Sequence, residues 1–173
     1  WYQHRARWFK EDSPKAIAYF DDVLHSDPNH KGALLFASIV YMYLEEFEES
    51  IPYSEKLLTL NPRKDDFENL AIFYEKVGRF DEALEVIKKG ALIFPDALHP
   101  VLWQARRAWG EHDFETAVEE FAALADSCKS DLIRAMALRS YGQSSTYLGR
   151  LSELWPSSLM ARQIYSDNDQ KSH

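Results

Sequence analysis

From Lys31 onward the chain alternates between stretches with helical spacing and short polar breaks. Apolar residues at Leu34, Ala37, Tyr41 and Leu44 recur every three or four positions, which predicts a helix over 31–44. A turn near Glu45–Phe47 follows. A second helix is predicted to about Leu60, where Asn61-Pro62 stops it, because the residue before proline avoids the helical region. The next stretch repeats the scheme. Phe67, Leu70, Ala71 and Tyr74 mark one helix. Gly78 suits the left-handed residue that ends it, and Asp81 is a candidate N-cap for the next. Further pairs are predicted at about 97–110 with 114–126, and at 131–148 with 152–165. A partial first pair is predicted at 1–10 and 15–26, with Asp12-Ser13-Pro14 as the start of its second helix. No segment reads as a strand.

The breaks fall on a fixed period. Pro28, Pro62 and Pro95 close similar helix endings, and Phe47, Phe80 and Phe114 follow similar turns. Both ladders advance by about 33–34 residues, the length of one helix–turn–helix unit in several repeat architectures. The 173 residues therefore hold about five units. Pro52 and Pro156 both lie five residues after the turn position, Phe47 or its equivalent Leu151. That places them early in a second helix, where a missing N–H costs little. Small residues at Ala71, Ala83, Ala105 and Ala117 fall where paired helices must approach closely, and Phe80 and Phe114 are expected to fill the space between neighbouring units. Trp103 and Phe36 are expected to pack between helices.

These residues resemble the tetratricopeptide repeat. Leu70-Ala71, Tyr74, Gly78, Phe80, Ala83 and Pro95 carry the likeness best. Ala37-Ser38, Tyr41, Phe47, Ser50, Leu57 and Pro62 form a second copy, and Ala105, Phe114, Ala117, Phe121 and Leu124 a third that lacks the turn glycine and the final proline. Tyr141-Gly142, Gly149 and Ala161 mark a fifth unit, reached after about three extra residues near Ser127–Ser130, and Ala16, Phe20, Val23 and Pro28 a partial first one. The resemblance implies an all-α fold, a right-handed α-solenoid of about five antiparallel helix pairs. Its units would span about 1–30, 31–63, 64–97, 98–130 and 131–166, with 167–173 a polar tail.

Composition narrows the chemistry. Twenty basic against twenty-eight acidic side chains leave a formal charge of −8, which disfavours binding to phosphate backbones. The most apolar stretch, around Gly32–Leu44, is too short to cross a bilayer, so no membrane insertion is expected. Cys128 is the only cysteine, which excludes an intrachain disulfide and a thiolate zinc cluster. His25, Asp27 and His30 have a spacing that could hold a metal, but they straddle Pro28 at a turn where polar residues are the default. His112-Asp113 reads as a helix cap. No phosphate loop, nucleophile elbow or His-Glu-x-x-His helix is present. We therefore expect no enzyme activity, no cofactor and no metal. The sequence opens at Trp1 without a methionine, so a processed or partial chain is expected, and a cytoplasmic location is the default reading.

What remains is the inner groove that the resemblance implies. In this family the first helix of each pair lines the groove through positions two, five, nine and twelve, which share one helix face. Here these are Gly32, Leu35, Ile39 and Met42; Asp65, Glu68, Ile72 and Glu75; His99, Leu102, Arg106 and Trp109; and Met136, Arg139, Gln143 and Thr146. The groove would begin apolar, turn acidic and end mixed. One subclass of the family grips a terminal carboxylate with Lys and Asn at positions five and nine. Leu35, Ile39, Glu68 and Ile72 stand there instead, which argues against that ligand. The implied function is a non-enzymatic adaptor for a peptide or partner protein bearing an apolar stretch followed by basic residues. Two alternatives stay open: self-assembly into a homo-oligomer, with Leu35, Ile39 and Met42 covered by a second copy, and a regulatory domain of a larger enzyme or sensor.

Overall fold

In the computed structural model the described residues are 2–95, 98–128 and 130–171, with side chains described outside 2–11, 132, 151, 153, 155 and 168–171. Among them every regular element is a helix and there is no strand, an all-α helical solenoid. Its helices are α1 (Tyr2–Ser26), α2 (Lys31–Leu44), α3 (Phe47–Leu58), α4 (Lys64–Lys76), α5 (Phe80–Ala91), α6 (Pro100–Gly110), α7 (Phe114–Ser127), α8 (Asp131–Tyr147) and α9 (Leu151–Lys171). They form two compact units, Trp1–Leu98 and His99–His173. Within the first, each helix from α1 to α4 packs on the one that follows it; within the second, each from α6 to α8 does the same.

Four turns inside the helix pairs share one construction. Glu45, Gly78, His112 and Gly149 all take the left-handed conformation, with φ of 62°, 80°, 64° and 75°. The following amide then reaches back to the carbonyl five residues earlier: Glu46 to Tyr41 (3.0 Å), Arg79 to Tyr74 (2.8 Å), Asp113 to Ala108 (2.9 Å) and Arg150 to Ser145 (2.9 Å). This is the bond that closes a helix and turns the chain sharply. Glycine is the natural occupant because it lacks the Cβ that clashes there, yet two of the four positions hold other residues.

Packing follows the same period. Ala71, Ala105 and Ala117 are completely buried and Ala83 nearly so, as close helix approach requires. Ser50 holds the matching place on α3 and satisfies its buried hydroxyl by donating to the Phe47 carbonyl at 2.7 Å. Rings bridge consecutive pairs: Phe47 lies 6.2 Å from Phe73, and Phe114 stacks on Tyr147 at 4.7 Å. The second unit has its own core around Ala105, Ala117, Phe121, Leu124, Ile133 and Ala137.

Three local expectations are corrected. Residues 2–26 form one continuous helix with Pro14 inside it, not two helices broken at Asp12–Pro14. A proline removes one backbone bond but does not force a turn without a left-handed residue or a C-terminal bond beside it. Asp81 is not an N-cap: α5 starts at Phe80 after Arg79, and Asp81 lies in the first turn, where its carboxylate still favours the helix dipole. The C-terminal residues expected as a tail from 167 are helical through Lys171.

Candidate functional site

Helix periodicity alone would leave one face of each first helix against its neighbours and the other open. On α2, Ala33, Leu34, Ala37, Ser38 and Val40 are buried, while Gly32, Leu35, Ile39 and Met42 are only half-buried. On α4, Asp66, Phe67, Leu70, Ala71, Phe73 and Tyr74 are buried, Glu68, Ile72 and Glu75 are half-buried, and Asp65 is exposed. The structure thus keeps these groove candidates of the first unit off its core side. They present an aliphatic surface on α2 and an acidic one around Ile72 on α4. Part of that acidity is countered. The Lys64 ammonium lies 3.2 Å from Asp65 and 3.4 Å from Glu68, and these carboxylates hold its pKa above the ordinary lysine value.

The second unit treats its candidates differently. Leu102 is a correction: it is 5% exposed and belongs to the core with Ala105 and Phe121, because α7 and α8 close over that side of α6. Trp109 is half-buried, edge-on to Phe114 at 5.2 Å and to Tyr147 at 4.9 Å, so its ring serves packing as well as surface. Arg106 lies over the buried Trp103 ring at 4.4 Å, a cation–π contact that fixes the guanidinium. Met136 packs against the core, and the Thr146 hydroxyl donates to the carbonyls of Gln143 (2.5 Å) and Gly142 (3.1 Å). His99 is half-buried, and Arg139 and Gln143 are exposed.

Other candidates resolve into structural roles. His30 caps α2 by accepting the Ala33 amide on Nδ1 at 3.0 Å, and Asp113 caps α7 by accepting the Thr116 amide at 3.2 Å. Among the described residues no three His, Cys, Asp or Glu side chains gather as a metal would require. Cys128 is half-buried at the α7 end. Trp103 packs inside as expected, whereas Phe36 remains 54% exposed, stacked on Phe20 at 6.0 Å. Sequence reading missed Arg134 altogether. Its guanidinium donates to the carbonyls of Ala125 (3.2 Å) and Cys128 (2.7 Å), closing the end of α7 where the extra residues enter. No helix among the described residues is long and apolar enough to cross a membrane.

Models of the tetratricopeptide repeat match residues 32–64 and 67–91. No curated protein matches the sequence significantly. Among solved structures, MamA superposes with a TM-score of 0.65 at 17% identity, over 93% of each chain. YrrB, described as a TPR protein with an unusual peptide-binding site, gives 0.58 at 20% identity over 94% of this chain and 84% of its own. PilW, described as a type IV pilus biogenesis factor, gives 0.60 at 19% identity over 94% and 76%. Likeness at these identities establishes the fold.

Proposed function

We propose that this chain, whose residues 32–64 and 67–91 match models of the tetratricopeptide repeat, is a non-enzymatic scaffold that binds a peptide or partner protein along its first helices. The repeat match supports a protein-interaction role in general. The observation that carries the finer reading is the half-buried face of α2 and α4, where Leu35, Ile39, Met42 and Ile72 stay partly open beside Asp65, Glu68 and Glu75. Aliphatic surface gives a partner something to bury, and carboxylates beside it select a basic one. The partner segment is therefore apolar with basic residues. Arg106, Trp109, Arg139 and Gln143 are the corresponding contacts proposed for the second unit.

Titration of basic amphipathic peptides against the wild type, Ile39→Ala and Glu68→Lys tests this. Both variants should bind more weakly, Glu68→Lys by roughly fivefold to tenfold for a charge reversal near the ligand. Unchanged affinity in both sinks the assignment.

A second reading has its own observation. Leu159 and Met160 on α9 are each 55% exposed and adjacent, an apolar patch that a second copy of the chain could cover. Light scattering across a concentration series separates the readings. A monomer at high concentration excludes self-assembly, and a dimer abolished by Met160→Ser supports it.

A further inference from the structure

The first unit holds an open pocket of about 320 Å³ that the groove reading does not use. Its floor is apolar, made by Leu58 of α3, Leu70 and Tyr74 of α4, and Val86 of α5. Leu70 points away from Glu68 and Ile72, and Tyr74 away from Ile72, since residues two positions apart on a helix lie about 200° apart. The pocket therefore opens on the side of the second helices, α3 and α5. Its rim is acidic: Glu55, Asp81, Glu82 and Glu85 face a single ammonium, Lys89.

Not all of that charge is available. Glu82 pairs with Arg79 at 2.9 Å, and Glu85 with Lys88 at 2.9 Å. Both are exposed pairs of the kind that contributes little and exchanges readily. Glu55 differs. It accepts a short hydrogen bond from the Tyr74 hydroxyl, a neutral donor that orients the carboxylate without cancelling its charge. The Tyr74 ring already carries the Arg79 guanidinium 4.6 Å from its centroid. That face is therefore taken, and what the pocket offers an incoming side chain is its aliphatic floor and an oriented carboxylate at its mouth.

We infer that this pocket receives an arginine or lysine side chain from a partner polypeptide, its methylenes on Leu58, Leu70 and Val86 and its charged head at Glu55. A long basic side chain suits such a site because its stem buries apolar surface while its head keeps a charged acceptor. The site goes beyond the groove: it lies on different helices and asks for one inserted cation, not an extended amphipathic segment.

Amide NMR spectra of the full chain, titrated with acetyl-Leu-Arg-Leu-amide and with its citrulline counterpart, test the assignment. Citrulline keeps the shape of arginine and removes its charge. The arginine peptide should shift the amides of Leu58, Tyr74 and Val86. Citrulline or Glu55→Gln should weaken binding about tenfold, the loss of one charge-assisted hydrogen bond. Glutamine can still accept from Tyr74, so the fold is retained, and Glu85→Gln, at an exposed position, gives a second variant with a smaller loss. Ile39→Ala, which tests the groove, should leave these shifts unchanged. Equal binding of the citrulline peptide, no shifts at millimolar peptide, or shifts confined to groove residues such as Ile39 and Ile72 would each overturn the proposal.

Discussion

Glu45 and His112 carry a conformation that costs an L-residue energy their glycine equivalents Gly78 and Gly149 avoid. Replacing Glu45 by glycine removes that strain and adds some unfolded-chain entropy, so a net gain of about 0.5–1 kcal/mol is expected. A rise in the urea midpoint with unchanged slope checks it. The gain at His112 should be smaller, because its ring also contacts Phe114 at 5.8 Å. Gly90 works in the opposite sense. A Cβ there would collide with the Leu98 side chain and the Phe67 ring, so Gly90→Ala should destabilise by about 1–3 kcal/mol through overpacking. Tyr74 adds a pH dependence. Burial first, then its hydrogen bond to Glu55, pushes its pKa from 10.0 up to about 12. A raised pKa in an acid that is neutral when protonated means the stabilisation is complete below the unfolded value. It is lost as pH climbs from there through the folded one. Stability should therefore fall between about pH 10 and 12, and Tyr74→Phe should flatten that fall in urea midpoints measured across the range.

At the scale of the helix, a repeat unit depends on where each helix stops. The four left-handed turns do this inside pairs; the first three are 33 and 34 residues apart, the fourth follows after 37, and the spacing was visible wherever glycine or a turn aromatic marked it. The connection from α7 to α8 uses another device, Arg134 bonded to the last carbonyls of α7. A cation at a helix C-terminus satisfies carbonyls and opposes the helix dipole together. Arg134→Ala should cost about 1–2 kcal/mol, with faster amide exchange at Ser127 and Cys128 as the local sign. Pro14 shows the converse. It reads as a helix start in sequence, but the helix α1 runs through it.

For the whole molecule, each unit's stability rests on its own packed helices, as in repeat arrays whose energetics are local. Phe121→Ala, at the centre of the second unit's core, should cost about 3–5 kcal/mol. Hydrogen exchange should show the loss concentrated in α6 to α8, which share that core. How much of this was legible depends on what each feature rests on. Helix content, the repeat period, the alanine contacts and the turn glycines could be read from sequence, because they follow from short-range rules: helical spacing, the missing Cβ of glycine, the volume of a side chain. The groove candidates could be placed on one helix face for the same reason. Spacing says which residues share a face but not what covers it, so only tertiary contact decided that Leu102 is core while Leu35 and Ile39 stay half open. Tertiary contact also assembled the pocket of Glu55, Tyr74 and Val86, whose members come from three helices and carry no common pattern along the chain. Local sequence determines which way a side chain faces; burial and charge pairing depend on neighbours distant in the chain, and those only the folded structure supplies.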